Sequence, residues 1–534
     1  MSMGDLHRDL SSPTNTRSLK NQLPLNLVGN IAYFLVNIII GLLLVPYFIS
    51  TLGVAAYGII PLATSITGYV AIVITSLNSS VSRFLTVDLQ KGDYAAANRT
   101  FNTSFFGLSA IIALMIPVII IISIYIPLVF NIPAGESSDV TFLFLGVCTA
   151  FLIRSWNGNF TVQLFACNRL DLQNVVNIVT LVSQTILIVI FFTLFGPNLV
   201  FIGEAYIFGA IIASSIAIVL AKRVCPHLSI SIHSFDRSRV RDLCGMGGWV
   251  VVNQIGTLLF IQIDLIVVNL LFGATSAGEY AIALQWVVLL RSISGVLSGV
   301  LTPVVLTFYA KRQTEALIQI TRSAVKLMGL AMALPIGLVC GFASQLLTVW
   351  VGPEFSFLAP LMIILTVHLV INLAVLPIFS INIAYNQVRF PGIVSLLMGL
   401  GNFALAIILS VYTNWGYYGV AVAGAIVLTL KNTFFTPWYA TRVLNINVHT
   451  FTRSMIPGIG AVLFIGIFAI IIRFFFPLNT LVGLVAAGTI ITIFYLGILW
   501  IVGLSKSERN LLTTYLPKRI RECADAIPCY LDNN

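Results

Sequence analysis

The sequence predicts an all-α polytopic membrane protein with about 14 transmembrane helices, arranged as two six-helix bundles and a final pair of helices. Three observations predict this fold. First, 58% of the 534 residues are hydrophobic and only 9% are charged, whereas an average soluble domain is about 25% charged. Second, apolar runs of about 20 residues, long enough to cross a bilayer core as a helix, recur along the chain. Third, Lys and Arg concentrate in alternate connections between these runs.

The apolar runs that qualify as spans are numbered 1 to 14 in chain order. Proline is tolerated inside them, because neighbouring helices satisfy the carbonyl groups that it leaves unbonded. The predicted spans cover 25–49, 56–80, 101–126, 139–164, 174–196, 199–221, 248–272, 278–304, 321–347, 358–384, 392–412, 416–439, 454–477 and 479–503.

The placement of basic residues predicts the orientation. All 28 Lys and Arg residues except Arg154, Arg291, Lys431 and Arg473 lie in the two tails, in the loops that follow even-numbered spans, or, for Arg322 and Lys326, in the first turns of the span after such a loop. Loops rich in Lys and Arg stay on the cytoplasmic side of a membrane. We therefore expect a multi-pass protein of the cell (inner or plasma) membrane, with both the N-terminus and the C-terminus in the cytoplasm.

Composition and motifs exclude several other classes of protein. The net charge of +10 comes from scattered cations that form no stripe, so nucleic acid is not an expected partner. Five of the seven cysteines lie on the predicted cytosolic side, where thiols stay reduced, so we expect no disulfide. Nucleotide-binding and zinc-protease motifs are absent from the sequence. We therefore predict no catalytic residues, no metal site and no enzymatic activity.

Two connecting segments resemble each other and predict an internal repeat. LGVAAYG at 52–58 joins spans 1 and 2, and FGATSAGEY at 272–280 joins spans 7 and 8. Six spans separate the two hairpins, so both copies run in the same direction, as in a parallel repeat. The predicted domains are a cytoplasmic N-tail (1–24), a six-helix bundle (25–221), a basic cytoplasmic linker (222–247), a second six-helix bundle (248–439), helices 13 and 14 with their preceding loop (440–503) and a cytoplasmic C-tail (504–534).

Several spans carry polar side chains at the spacing of one helical face. Packing between helices explains any single stripe as well as function does, because Ser and Thr favour close helix contacts in membranes. Stripes on five spans, including both repeated hairpins, are better explained by a shared aqueous cavity. The stripes comprise Asn26, Asn30, Tyr33 and Asn37; Thr64, Thr67, Thr75, Asn78 and Ser82; Arg154, Asn157 and Thr161; Asn253, Thr257 and Asp264; and Arg291, Ser294, Ser298 and Thr302.

Four ionised groups lie deep in the spans: Arg154, Asp264, Arg291 and Lys431. Each costs roughly 2.5–3.5 kcal/mol or more if it faces lipid at mid-depth, so each must face protein or water. Helical depth places the three cations in one layer and Asp264 a few ångströms outward of it. We expect an Asp264–Arg291 contact, for which a purely structural salt bridge is the alternative. The excess positive charge predicts an anionic ligand, with Arg154, Arg291, Lys431, Asp264, Asn37, Asn157, Thr257 and Ser298 as candidate substrate contacts.

A series of short motifs supports a family resemblance. In chain order they are VPY at 45–47, SRF at 82–84, DLIV at 264–267, GEYA at 278–281 and VWVGPEF at 349–355. Within a fourteen-helix frame, they resemble the polysaccharide-unit flippases of the MOP superfamily. These are Wzx-type O-antigen and exopolysaccharide transporters, relatives of the lipid II flippase and of the MATE drug exporters. The resemblance covers roughly residues 20 to 505.

This resemblance implies alternating access, in which a polyprenyl-linked oligosaccharide moves from the inner to the outer leaflet for synthesis of cell-surface polysaccharide, including lipopolysaccharide. Arg154, Arg291 and Lys431 match the intramembrane cation positions of such flippases. The implied partners are the lipid-linked oligosaccharide, membrane lipid, and a polysaccharide polymerase with chain-length proteins. No cofactor is expected, and H⁺ or Na⁺ is the candidate coupling ion.

Other functions remain as alternatives. A lipid II flippase would carry a charged cluster that begins in helix 1, where this chain has Asn30 and Asn37 and no charge. A MATE-type exporter moves cations and should have an acidic cavity. A membrane polymerase or acyltransferase would need a catalytic constellation or a sizeable outer loop, and a scaffold would not need four buried charges.

Overall fold

Helices dominate the structure, which is a computed structural model describing residues 19–240, 251, 254–256, 258–260, 262–476, 478–505 and 508–509. Within these residues there is no β-strand. Thirteen helices in the described part of the chain are long and apolar enough to cross a membrane. The predicted all-α polytopic fold is therefore confirmed.

The helices are numbered here in chain order. They are α1 Leu19–Leu52, α2 Val54–Gln90, α3 Tyr94–Val129, α4 Ser137–Ala166, α5 Leu170–Phe195, α6 Leu199–Val224, α7 Ile263–Ala310, α8 Thr314–Gly341, α9 Ala343–Trp350, α10 Ala359–Val367, α11 Leu369–Ala374, α12 Leu376–Ala384, α13 Arg389–Tyr412, α14 Tyr417–Leu430, α15 Thr436–Leu444, α16 His449–Phe475 and α17 Leu481–Ile498. Short 3₁₀ turns occupy Ile232–Ser234 and Pro353–Leu358, and π turns occupy Lys431–Phe435 and Leu499–Gly503.

One long helix accounts for the difference between thirteen helices and the predicted fourteen spans. Helix α7 contains Gly273 with φ 90° and ψ 177°, so two helices meet there. Glycine adopts this conformation without a steric penalty, because it has no Cβ. The two halves of α7, 263–272 and 274–310, correspond to the end of predicted span 7 and to predicted span 8. Part of span 7 lies outside the described residues.

The chain divides into two compact units, Met1–Gly278 and Glu279–Asn534. Small residues bring helices together within each unit. In the first, a Cβ added at Gly146 of α4 would lie 2.5 Å from the Cα of Gly203 in α6. In the second, a Cβ added at Gly458 of α16 would lie 2.9 Å from the carbonyl carbon of Gly329 in α8. Such contacts are typical of membrane helices, whose association depends on close backbone packing. The domain boundaries given above from the repeat remain a prediction.

The first part of the predicted linker lies along α3 within the first unit. The Asn98 side chain donates to the carbonyl oxygen of His227 at 3.0 Å and accepts from the backbone N–H of Ser229 at 3.0 Å. Asn102 makes the same kind of paired contact, donating to the Ser229 carbonyl at 2.9 Å and accepting from Ser231 at 2.8 Å. The two asparagine side chains thus bond to the backbone of residues 227–231 as a neighbouring β-strand would.

Charged groups secure the same segment. Arg239 lies 3.7 Å from the carboxylate of Asp88, which also accepts from the Thr100 hydroxyl at 2.8 Å. Hydrogen bonds from Ser238 hold the pKa of the Asp236 carboxyl below its ordinary value. Because the contacts with Asn98, Asn102 and Asp88 join the linker to helices of the first unit, residues 227–239 belong to that unit.

One expectation about cysteines was wrong. The sulfur atoms of Cys167 and Cys225 are paired, although the sequence predicted no disulfide. Each cysteine follows the last turn of a helix, α4 or α6. Helices α4 and α6 pack closely through Gly146 and Gly203, so their ends lie together. The sequence did not reveal this contact, because 58 residues separate the two cysteines. Cys148 and Cys340 are free.

Candidate functional site

Arg154 is the central candidate in the first unit. It lies in the middle of α4, its side chain is exposed, and it is within electrostatic reach of Tyr206 on α6. An exposed guanidinium at mid-depth cannot face lipid without a large penalty. The sequence-based charge count omitted one group, Glu204, which lies near the start of α6 and is exposed. With Glu204 included, cations still outnumber carboxylates among these intramembrane groups.

The polar stripes of α2 and α4 meet one turn from Arg154. Asn157 is 5% exposed, and its side-chain oxygen has no hydrogen-bond partner within the described residues. A Cβ added at the adjacent Gly158 would lie 2.9 Å from the side-chain nitrogen of Asn78 on α2. Two amide side chains therefore lie along this contact.

The stripe on α1 has a mixed role. Asn30 accepts a hydrogen bond from Asn174 of α5 at 2.6 Å, and Asn26 donates to Asn168 at 3.2 Å. Packing between helices therefore accounts for this end of the stripe. Asn37 lies about two turns further along α1, is partly buried, and keeps its place as a candidate substrate contact.

Asp264 is 6% exposed and lies within electrostatic reach of Tyr69 on α2. Gln262 is packed close to Gly68 of the same helix, so the segment around Asp264 belongs beside α2. The predicted Asp264–Arg291 salt bridge joins residues of different units and remains a prediction. Thr257, another candidate contact, lies outside the described residues.

In the second unit, Lys431 is 8% exposed and begins the π turn Lys431–Phe435. Its ammonium lies 5.8 Å from the centre of the Phe379 ring. Pro437 follows in the first turn of α15 and has no N–H for the carbonyl group four residues earlier, so the helix cannot keep its regular bonding there. Such π turns within helices frequently occur at functional sites.

A chain of hydrogen bonds lies beside Lys431. Asn432 donates to the side-chain oxygen of Asn372 at 3.0 Å and accepts from the hydroxyl of Thr436 at 3.1 Å. The side-chain nitrogen of Asn372 lies 2.6 Å from Nδ1 of His368. With Asn372 as the donor, His368 carries its proton on Nε2. Asn372 therefore links His368 to the segment that holds Lys431.

Arg291 completes the group in the second unit, since it lies within electrostatic reach of His368. Predicted span 10, which carries His368, is interrupted and forms the three helices α10, α11 and α12. Ser298 lies about two turns from Arg291 on α7 and is partly buried. The structure therefore places Arg291 and Lys431 around one amide network, while Arg154, Asn157 and Asp264 lie in the first unit.

Sequence reasoning missed Asn372 and Asn432. A signal was present, because each lies five residues before a proline inside a predicted span, Pro377 and Pro437 respectively. A proline frees the carbonyl group four residues before it, so the backbone opens next to the asparagine. Polar side chains beside such breaks are the usual way in which membrane proteins satisfy freed backbone groups.

The two repeated turns meet within the first unit. A Cβ added at Gly58 would lie 2.5 Å from the backbone nitrogen of Gly278, and one added at Gly278 would collide with the carbonyl oxygen of Val54. Asn131 and Asn269 exchange three hydrogen bonds of 2.7–3.0 Å between their side chains and backbones. These contacts lie at the end of the helices that the charge distribution predicts to be outermost.

The fold is similar to those of solved membrane transporters. The structure is similar to the inward-facing form of a multidrug resistance MATE family transporter of the MOP superfamily, with a TM-score of 0.61 and 15% identity over 79% of this chain and 99% of that one. It is also similar to the lipid II flippase MurJ in an inward closed conformation, with a TM-score of 0.62 and 13% identity over 89% and 99% of the two chains.

Sequence comparisons give the family. Residues 27–309 match the model of the polysaccharide biosynthesis protein family. The chain is 32% identical over 504 residues to the membrane protein EpsK of Bacillus subtilis (strain 168), covering 94% of this chain and 99% of that protein. The chain belongs to the polysaccharide biosynthesis protein family, as the resemblance of its motifs indicated.

The contact between the repeated turns gives a testable prediction. We expect Gly278→Ala to lower the free energy of unfolding by about 1–3 kcal/mol, because the added methyl group must displace the Val54 carbonyl. The matched control is Gly295→Ala on the same helix, where an added Cβ meets nothing within 4 Å. Thermal unfolding of the detergent-solubilised protein measures the difference, and equal stability of the two variants would show that the contact is loose.

Proposed function

We propose that the chain translocates a polyprenyl-(di)phosphate-linked oligosaccharide from the inner to the outer leaflet for cell-surface polysaccharide synthesis. The observation that carries this proposal is the set of three basic residues inside the spans, Arg154, Arg291 and Lys431. Membership in the polysaccharide biosynthesis family supports the oligosaccharide part of the substrate.

Charge supports an anionic head for the substrate. At a separation of about 6 Å and an effective dielectric constant of about 20, each cation–phosphate pair contributes on the order of 3 kcal/mol. A cationic drug, the substrate class of the MATE alternative, would be repelled by the same groups. Arginine also matches two phosphate oxygens at once through its planar fork, whereas lysine acts as a point charge.

Amide groups support a sugar. Asn157 has an unsatisfied side-chain oxygen among the described residues, and Asn372 and Asn432 lie next to a basic side chain. Asparagine offers both donors and acceptors, which suits hydroxyl groups that do both. Asn37 and Ser298 are further candidate polar contacts, one in each unit.

Alternating access is the proposed mechanism. We place both termini in the cytoplasm and propose H⁺ or Na⁺ as the coupling ion. The chain would act without enzymatic chemistry, and a polymerase with chain-length proteins would receive its product.

Removing the three basic side chains tests the site. We expect the triple variant Arg154→Ala, Arg291→Ala, Lys431→Ala to abolish glycan export, because the phosphate loses its counter-charges. Arg154→Lys and Arg291→Lys should be milder if charge matters more than fork geometry. Cell-surface polysaccharide is measured in a strain that lacks its own copy, with protein levels followed by immunoblot. The matched control replaces three exposed cations outside the proposed site, Lys311, Arg312 and Arg442. Full export by the triple variant would contradict the proposal.

Water access tests the shared cavity. Single cysteines at Asn37 and Ser298 should react with a hydrophilic thiol reagent, because both positions line the proposed aqueous path. Cysteines at Leu43 and Ile467, which are 66% and 59% exposed on apolar faces, serve as lipid-facing controls and should react slowly. Labelling in intact cells and in inverted vesicles is compared. Protection of Asn37→Cys and Ser298→Cys in both preparations would argue against a cavity.

We further propose that α16 and α17 hold the polyprenyl tail. Both helices are strongly apolar, and together with α8 they line a cavity of about 800 Å³ whose walls include Phe464, Leu499 and Val502. Lipid-facing packing or a contact between two copies of the chain is the alternative explanation for these helices. An apolar chain too long for a polar cavity needs a groove that opens to the membrane.

Crosslinking tests this placement. A polyprenyl diphosphate with photoactivatable groups on its tail and its head should crosslink through the tail to α16 or α17. The head should crosslink near Arg154, Arg291 or Lys431. Mass spectrometry of the digested protein identifies the labelled peptides, and an excess of unlabelled polyprenyl diphosphate should prevent both crosslinks. Tail crosslinks confined to other helices would reject the assignment.

A further inference from the structure

The cavity between α8, α16 and α17 is apolar at its base but basic at its mouth. Leu330 and Phe464 line the base, where the hydroxyl of Tyr495 donates to the carbonyl oxygen of Leu330 at 2.7 Å. This hydrogen bond satisfies the one polar end of the tyrosine and leaves its ring as part of the apolar wall. A ligand that lies along the base must therefore be apolar.

The mouth carries three cations. Arg322 and Lys326 lie one turn apart on α8, and Arg453 lies in the first turns of α16. Arg322 and Arg453 are exposed and form no ion pair within the described part of the chain. Residues four apart share one face of a helix, so Arg322 and Lys326 point to the same side. The predicted orientation places this mouth at the cytoplasmic leaflet.

A carboxylate from the C-terminal segment already occupies part of the mouth. Glu508 is 4% exposed and lies 2.7 Å from the ammonium of Lys326. It also accepts from the backbone N–H of Ser505 at 2.9 Å, while the Ser505 hydroxyl accepts from the N–H of Glu508 at 3.4 Å. This reciprocal pair is a capping box, which starts a helical turn and holds the carboxylate in place.

The next residue anchors the same segment. Arg509 donates to the carbonyl oxygen of Ile501 at 3.1 Å, and its guanidinium lies 5.7 Å from the centre of the Trp500 ring. The contacts of Ser505, Glu508 and Arg509 therefore hold the Glu508 carboxylate next to Lys326. The position of an anion beside Lys326 is defined by the protein itself.

We propose that this groove binds an anionic bilayer lipid of the inner leaflet, with its phosphate at Arg322, Lys326 and Arg453 and an acyl chain along Leu330 and Phe464. Basic pockets between membrane helices on the cytoplasmic side bind lipid head groups in this way. Glu508 competes with the phosphate for Lys326. A soluble anion would use only the mouth and leave the apolar base unfilled. The basic mouth uses none of Arg154, Arg291 or Lys431, but the apolar base is the cavity proposed above for the polyprenyl tail, so the bilayer lipid and the tail would compete for it.

The test uses the full chain purified in detergent and titrated with phosphatidylglycerol that carries a fluorescent acyl chain. Phosphatidylcholine with the same label and inorganic phosphate are the comparison ligands. The variants are Arg322→Gln/Lys326→Gln/Arg453→Gln, the single Arg453→Gln and Glu508→Gln. The control with the same change in net charge is Lys311→Gln/Arg312→Gln/Arg442→Gln, whose three positions lie outside the groove. Thermal unfolding checks that each variant is folded.

We expect binding of phosphatidylglycerol to weaken on the order of fivefold for each groove cation removed. Glu508→Gln should instead tighten binding, by roughly the same factor, because the competing carboxylate is gone. The control triple variant should bind phosphatidylglycerol nearly as the native chain does, and phosphatidylcholine should bind weakly to every variant. If the groove triple variant is unstable, the single variant Arg453→Gln replaces it in the test, because this change removes no ion pair of the described residues.

Three results would overturn the proposal. Equal losses of phosphatidylglycerol binding in the groove triple variant and the control triple variant would indicate that general surface charge attracts the lipid. Weaker binding after Glu508→Gln would indicate that the Lys326–Glu508 pair only maintains the fold. Displacement of the lipid by inorganic phosphate at the concentration expected for a simple anion site would show that the acyl chain contributes nothing. None of these results depends on transport, so the proposed function stands or falls separately.

Discussion

A charged group in the hydrocarbon core of a membrane must be surrounded by protein or water, and the placement of Arg154, Arg291 and Lys431 follows from this constraint. Arg154 is exposed in the middle of a span, which is tolerable only beside water or another polar surface. Lys431 is nearly fully buried and lies against an aromatic ring and an amide network. The chain thus accommodates its cations in two ways.

The low dielectric constant of the membrane core constrains the backbone as well. Every N–H and carbonyl group at membrane depth needs a partner, so interruptions of a helix occur only where polar groups are nearby. The breaks around Pro377 and Pro437 lie next to Asn372 and Asn432, which are hydrogen-bonded to each other. Where a helix is interrupted and lined by amides, hydrogen-bonding groups that a regular helix would use internally are available to a ligand. The lysine at the start of the π turn adds charge to that opening.

The sequence was sufficient for the fold class, since long apolar runs and the distribution of charge are local properties. It was also sufficient for the family, through the order of short motifs. It did not reveal the broken helices of span 10 or the pairing of Cys167 with Cys225, because both depend on how helices pack. The stripe on α1 illustrates the limit. Asn26 and Asn37 have the same spacing pattern, but contact with α5 gives the first a packing role that periodicity alone does not distinguish.

The central claim is that the chain moves a lipid-linked oligosaccharide across a bilayer, and transport in purified vesicles tests it most directly. Vesicles containing the chain receive a polyprenyl diphosphate oligosaccharide with a fluorescent sugar, and a membrane-impermeant quencher reports which leaflet holds it. Without transfer, the half of the label that lies in the inner leaflet stays protected from the quencher. The account predicts that this protected half becomes quenchable only when the native chain is present. It also predicts slower transfer with lipid II or a cationic dye as substrate. Equal transfer in empty vesicles, or preferential transfer of lipid II or the dye, would contradict it.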